Sequence, residues 1–130
     1  MSTTEDNISV MVIDDDDLII DSMSVFLDDL GFRVSGYTSA EDAIDEIRTN
    51  PPDVCIVDLR MGDINGEDVI KEILAVNAAV RCLFFTGSGY NVPEEFNAFG
   101  ITQDDVIEKP VYDFDQLALK ITNIRRKSLS

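Results

Sequence analysis

The sequence predicts an α/β fold in which a five-stranded parallel sheet carries helices on both faces. Three observations lead there. Short apolar runs alternate with stretches of helical periodicity five times along 130 residues, the pattern of strands joined by crossover helices. The third run, Val54-Cys55-Ile56-Val57, is apolar without interruption, with Pro51-Pro52 before it and Gly62 and Gly66 after it. A strand that does not alternate is one buried on both faces, as strands of a parallel sheet are. Finally, 130 residues with 45% apolar content make one domain with a substantial core rather than a disordered chain.

Each element follows from its residues. Residues 1–7 form a loose polar lead-in. Ser9 to Ile13 is β-branched and apolar, a first strand that ends on Asp14-Asp15-Asp16-Asp17. From Leu18, the positions Ile19/Ile20, Met23, Phe26/Leu27 and Leu30 recur at helical spacing, and Gly31 closes that helix as a left-handed cap. Arg33 to Tyr37 is the second strand. Ser39 opens a second helix with Asp42 three residues on, a variant of the capping box, and Asn50-Pro51-Pro52 stops it. Ala43, Ile44 and Ile47 form its inner face. After the third strand comes a third helix over about Glu67 to Val76, with Val69, Ile70, Ile73 and Leu74 inward. Val80 to Phe85 is the fourth strand, Pro93 to Phe99 a short fourth helix, and Val106-Ile107 a brief fifth strand. Asp113 caps a last helix that turns Phe114, Leu117, Ile121 and Ile124 to one side. Arg125, Arg126 and Lys127 near its end read as complements to the helix dipole, with a basic docking tail as the alternative.

Composition excludes several chemistries. The chain has no His, which removes Ser-His-Asp and Cys-His catalysis of the usual kind and argues against zinc. Any metal should be hard and oxygen-bound: magnesium, manganese or calcium. Cys55 and Cys82 sit in apolar runs as small hydrophobes, with no CxxC. The polar, acidic start MSTTEDN does not resemble a signal peptide, and no apolar run approaches a membrane span, so a cytoplasmic location is expected.

In this topology the C-terminal ends of the strands share one edge, where ligands bind. The first strand brings Asp14 and Asp15 there, the third Asp58, the fourth Thr86 with Gly87 behind it, and the fifth Lys109. On its own stretch, Asp58 reads equally as a nucleophile or metal ligand and as a residue that merely starts a turn. Asp16 and Asp17 serve the first turn of the helix. Three clustered carboxylates raise one another's pKa, and a divalent cation removes that cost. Magnesium typically binds one or two carboxylates plus a phosphate. Lys109 offers a point charge for a phosphoryl oxygen, Thr86 a hydrogen bond, and a carboxylate is an accepted nucleophile for phosphoryl transfer.

With those residues in place, the chain resembles the receiver domain of two-component response regulators, in particular the single receiver domains of the chemotaxis-regulator type. The resemblance covers residues 8–127, leaving 1–7 and 128–130 as polar termini. It rests on Asp14-Asp15, Asp58, Thr86 in FFTGSG and Lys109-Pro110, with Met61, Asn65 and Gly66 fitting the loop after Asp58. Each motif alone is weak, but four in this order are specific. The resemblance implies a doubly wound, flavodoxin-like sheet of order 2-1-3-4-5. It implies Asp58 as phosphoacceptor, supplied by a phosphohistidine of a sensor histidine kinase or histidine phosphotransfer protein. Mg2+ would be held by Asp15, Asp58 and the Arg60 carbonyl, with Asp14 acting through water. Thr86 and Lys109 would contact the phosphoryl group, and Lys109-Pro110 would be cis. Phosphorylation would reshape the face of helix four, strand five and helix five. Arg60 and Ser88 flank the site at positions that tune phosphoryl loss.

Three departures stand out. Gly62 replaces a frequent proline, predicting a more mobile loop after Asp58. Val106, three residues before the lysine, replaces the usual aromatic switch residue. Gly89 to Asp105 aligns poorly, with a short fourth helix. The expected function is a signalling switch that catalyses only its own phosphorylation and dephosphorylation and acts on an output protein or domain that the sequence does not name. Two other classes compete. One is a receiver-like module that binds partners without phosphorylation. The other is a haloacid-dehalogenase-type phosphatase, in which Asp14 and Asp16 match the two acids of DxDx(T/V) but Leu18 breaks it. No output domain follows residue 127, so a stand-alone receiver or a piece of a longer regulator is expected. With a net charge of −16 and no DNA-binding element, the chain should bind neither nucleic acid nor anionic membrane directly. A mobility-shift titration with duplex DNA at physiological salt should show no complex.

Overall fold

The computed structural model describes residues 8–129, with side chains as far as Ile124. The lead-in 1–7 and the basic side chains of Arg125, Arg126 and Lys127 lie outside what is described. In chain order the elements are β1 (Ser9–Ile13), α1 (Asp17–Asp29), β2 (Arg33–Tyr37), α2 (Ala40–Thr49), β3 (Val54–Asp58), β4 (Arg60–Met61), β5 (Ile64–Asn65), α3 (Gly66–Val76), β6 (Arg81–Thr86), β7 (Val106–Glu108) and α4 (Phe114–Leu129). Five strands form the main sheet in the order β2-β1-β3-β6-β7, and every pairing is parallel. Counting only these strands, that is the expected order 2-1-3-4-5.

The two faces follow from the two-residue period of a strand. Met11, Ile13, Cys55, Val57, Cys82 and Phe84 point to one side and pack on α2 and α3. Val10, Val12, Val54, Ile56, Leu83 and Phe85 point to the other, onto α1 and α4. β1, β3 and β6 thus lack polar alternation because both of their faces are covered, while the edge strand β2 stays largely exposed. Among the described residues, no helix is long and apolar enough to cross a membrane.

Local signals position the helices. The Asp16 carboxylate caps α1 by accepting from the Leu18 amide, and the Ser39 hydroxyl caps α2 by accepting from the Asp42 amide. Gly31, with φ of 101°, carries the chain out of α1. Within α1, Ile20, Met23 and Leu27 are buried, while Phe26 and Leu30 are half exposed. They lie at the rim of the apolar stripe, where Phe26 stacks on Phe114 with ring centroids 4.3 Å apart.

The structure corrects three expectations. The fourth helix is not α-helical: Glu94–Phe99 is a six-residue 3-10 helix that Gly100 ends at φ 80°, and a further 3-10 turn, Gln103–Asp105, leads into β7. Its Pro93 cap contributes no side-chain hydrogen bond, and Phe96 is its only buried residue. The face expected from helix four, strand five and helix five is therefore built from 3-10 turns, β7 and α4. The segment after Asp58, read as a turn, is the two-stranded hairpin β4-β5. Its Gly62-Asp63 loop is itself a hairpin signal that sequence reading can use. Lastly, β3 runs through Asp58, and the fourth strand begins and ends one residue later than expected.

Phe84 is fully buried and meets Phe96 edge-on and Tyr90 obliquely, both at 5.3 Å between centroids. Phe84→Ala should therefore cost about 3–5 kcal/mol. Urea denaturation should show this as a lower midpoint with an unchanged slope.

Candidate functional site

The site lies where β1, β3, β6 and β7 end. Asp14 directly follows Ile13, and Asp58 is the last residue of β3, so the register that buries the apolar runs also buries these two carboxylates. Asp14 is 0% exposed and Asp58 3%, whereas Asp15 is open to solvent. One carboxylate oxygen from each of the three lies within 4.8 Å of the others. Lys109 enters from the end of β7. Its Nζ donates to Asp58 Oδ1 at 3.0 Å and stands 3.5 Å from Asp14 Oδ2. The ammonium also lies over the Phe85 ring, 4.7 Å from its centroid, a favourable cation–π position. The Lys109 amide donates to the Thr86 carbonyl at 2.7 Å, which ties the base of the lysine to β6. The Lys109-Pro110 peptide is cis.

The loop after Asp58 is fixed by its backbone. The Arg60 amide donates to Asp58 Oδ1 at 3.1 Å, so this oxygen takes both that bond and the lysine. The Gly66 amide donates to the Leu59 carbonyl. A Cβ on Gly66 would stand 2.5 Å from both the Asp58 carbonyl oxygen and Leu59 Cα, so only glycine lets α3 start this close to the end of β3. Gly62 has φ of +61° at the first position of the hairpin loop, a conformation closed to proline. The loop at Gly62 is thus a two-residue hairpin turn whose backbone angle proline cannot adopt.

A cleft of about 490 Å3 opens beside Asp58, lined by Arg60, Thr86, Gly87, Ser88, Gly89, Tyr90 and Lys109. Every residue expected at the site therefore comes together at one edge. Asp14, Asp15, Asp58 and Lys109 make the charged centre, while Thr86, Arg60 and Ser88 line the cleft. Asp16 and Asp17 belong to the start of α1, as expected. Tyr90 and Glu67 were not foreseen. The Tyr90 hydroxyl donates to Glu67 Oε2 at 2.5 Å, a bond between residues 23 apart. Burial pushes the Tyr90 phenol pKa up, and the bond to Glu67 raises it further. Nothing local in the sequence pairs these two residues. The one available clue is a tyrosine four residues after Thr86.

The donor set fits a hard divalent cation. It consists only of oxygens, and the buried Asp14 Oδ2 has no hydrogen-bond partner. Burial raises the Asp14 pKa above its ordinary 3.8 and the charge of Asp58 adds to that, against the Asp16 amide bond and Lys109. A divalent cation held by these carboxylates would offset their mutual repulsion.

Residues 10–122 match the family model described as the response regulator receiver domain. The chain belongs to this family. Curated relatives are regulatory proteins by name. The acid tolerance regulatory protein ActR of Sinorhizobium medicae is 32% identical over 87% of this chain and 58% of its own length. The transcriptional regulatory protein FixJ of Azorhizobium caulinodans is 32% identical over 88% of this chain and 52% of its own. The chain thus spans little more than half of these two relatives, and 25% of the transcriptional regulatory protein ZraR of Escherichia coli. A receiver domain from Clostridium thermocellum, 26% identical, superposes with a TM-score of 0.74 over 94% of this chain and 98% of that one. A receiver domain of Methanospirillum hungatei, described as CheY-like, superposes with a TM-score of 0.78 over 94% of this chain and 96% of its own, and at 22% identity speaks for the fold alone. Within this receiver domain, Val106 is half-buried against the core on the α2–α3 side.

Asp14 supplies a test of the electrostatics. Its folded pKa lies above 3.8, so the folded protein holds this proton more tightly than the unfolded chain does. Its contribution to stability is full below pH 3.8 and is lost as pH rises through the raised folded value. Asp14→Asn removes that loss. In the absence of divalent metal, the variant should exceed the parent in stability at neutral pH by on the order of 1 kcal/mol. The gain should vanish in acid. Urea titrations at the two pH values, in chelator, measure the difference.

Proposed function

We propose that this receiver domain is a phosphorylation switch with Asp58 as its acceptor. The carrying observation is the buried Asp14–Asp58 pair with the Lys109 ammonium seated on Asp58 Oδ1. An Asp58 oxygen attacks the phosphorus of a phosphohistidine. The P–N bond breaks, the imidazole leaves with its electron pair and takes up a proton, and an aspartyl phosphate forms. Lys109 exchanges its carboxylate partner for a phosphoryl oxygen, and the Thr86 hydroxyl donates to another. These residues need only position and neutralise, which is what phosphoryl transfer chiefly demands. Asp15, Asp58 and the Arg60 carbonyl would hold Mg2+, with Asp14 contributing through water. When bound, the ion neutralises charge developing on the phosphoryl oxygens. Arg60 and Ser88, at the mouth of the cleft, screen the aspartyl phosphate from attacking water.

The donor is a sensor histidine kinase or a histidine phosphotransfer protein, and the output is a protein or domain whose binding changes with phosphorylation. We place the protein in the cytoplasm, with no direct contact to nucleic acid or membrane. The runner-up is a receiver that binds its partner without phosphorylation, a reading that Val106 and the 3-10 segment in place of an α-helix between β6 and β7 favour. The complete Asp14, Asp15, Asp58, Thr86 and Lys109 set supports the first reading over it.

Intact-mass spectrometry after incubation with acetyl phosphate and Mg2+ should show a gain of one phosphoryl group. Asp58→Asn and metal chelation should each abolish it. Absence of any gain, with acetyl phosphate and with a phosphohistidine donor alike, would sink this function and leave the constitutive module.

A further inference from the structure

In this chain the residue that lines the acceptor cleft from the output side is Tyr90. The segment that leaves Thr86 passes through Gly87-Ser88-Gly89, and neither glycine position has a neighbour within 4 Å of a would-be Cβ. Tyr90 follows at once and lines the same cleft as Asp58, Thr86 and Lys109. Its ring rests on Phe84, and its hydroxyl reaches Glu67 in the first turn of α3. One turn further along the same helix, Lys71 pairs with Glu95 at 2.5 Å and lies over the Phe96 ring. Glu67 and Lys71, spaced i and i+4, thus share one face of α3 and hold both ends of the stretch from Tyr90 to Phe96. The two ties differ in weight. Lys71 and Glu95 are exposed, and such pairs contribute little. The Tyr90–Glu67 bond is partly buried and has a charged acceptor, which makes it the stronger.

This stretch is also wired to β7. The Gln103 side chain donates to the Tyr90 carbonyl at 2.7 Å and accepts from the Val92 amide at 2.9 Å. Gln103 begins the 3-10 turn that runs into Val106. A change at Tyr90 therefore reaches both the surface over α3 and the strand that carries Lys109. Val106 has no ring with which to follow Thr86.

We propose that the Tyr90–Glu67 bond is a latch that phosphorylation releases, so that Tyr90 is the positioning residue through which this receiver reports the state of Asp58. The proposal rests on Asp58 being the acceptor. A phosphoryl group draws the Thr86 hydroxyl, and with it the short Gly87-Ser88-Gly89 link, toward Asp58. It also adds negative charge to the cleft that Tyr90 lines, and Glu67 is itself a carboxylate. Both effects pull Tyr90 away from Glu67, and the 3-10 segment beyond it loses its stronger tie to α3.

The chain has three tyrosines and no tryptophan, so its emission is tyrosine emission. A phenol hydrogen-bonded to a carboxylate emits weakly. Adding acetyl phosphate and Mg2+ to the full chain should raise emission in step with the phosphoryl mass gain. Tyr90→Phe keeps the ring on Phe84 and should lose this rise. Glu67→Gln should start bright and stay so. Both variants should be phosphorylated faster, by about tenfold, the scale of one hydrogen bond to a charged group. The double variant should match either single one, since both remove the same bond. A wild-type chain that gains phosphoryl mass with no change in emission overturns the latch and leaves the receiver function standing. So do variants that phosphorylate at the parental rate, or effects that add. A chain that gains no mass overturns the receiver function itself, and the latch with it.

Discussion

The structure depends on one cation serving two buried acids. Asp14 and Asp58 are carried into the protein edge by the strands that precede them, and those strands are placed by core packing rather than by charge. The sheet register therefore imposes a like-charge contact that no rearrangement of the carboxylates relieves. Lys109 is what makes it tolerable, with Asp58 Oδ1 at 3.0 Å and Asp14 Oδ2 at 3.5 Å. A lone ammonium does not offset the cost of two buried carboxylates: burial first, and the charge of Asp58 after it, raise the Asp14 pKa. With Asp15 beside them, three carboxylates face this one ammonium, a balance that suits a divalent cation.

That arrangement requires the surrounding backbone to hold still. The Arg60 amide and Lys109 converge on the same Asp58 oxygen, and Gly66 allows α3 to begin against the Asp58 carbonyl. Farther along, the Lys109 amide is bonded to the Thr86 carbonyl. The ends of β3, β6 and β7 are thus linked through short backbone contacts as well as through the ion pair. The densely bonded part of the site is the acid–lysine centre. The permissive part is the Gly87-Ser88-Gly89 link, which has open space around it.

What was readable in the sequence follows the same division. Uninterrupted apolar runs announced strands buried on both faces, and the residue ending each run announced the edge chemistry, because both depend on order along the chain. Asp14, Asp15, Asp58, Thr86 and Lys109 were legible for that reason, as were the caps at Ser39 and Gly31, whereas Asp16 was read only as a first-turn acid and its capping bond to the Leu18 amide was not. The stretch from Gly89 to Asp105 was not. Its 3-10 turns have no apolar stripe to detect, and the buried Phe96 is fixed by Phe84 rather than by neighbours in sequence. The bond from Tyr90 to Glu67 is likewise a product of tertiary placement. The hairpin at Arg60–Asn65 was legible in principle, since Gly62-Asp63 between Met61 and Ile64 fits a two-residue loop.

The two unreadable features are connected. An α-helix after β6 would satisfy its own backbone and would need little from α3. A six-residue 3-10 helix with no side-chain cap holds itself less well, so its position is set by what it touches: Phe84 beneath Phe96, and Glu67 and Lys71 on α3. The segment is thereby made dependent on side-chain contacts within reach of the acceptor cleft. A valine at 106 fits that design. The ring that meets both the core and the cleft stands on the chain leaving Thr86, at Tyr90, so the β7 position has no need to supply one.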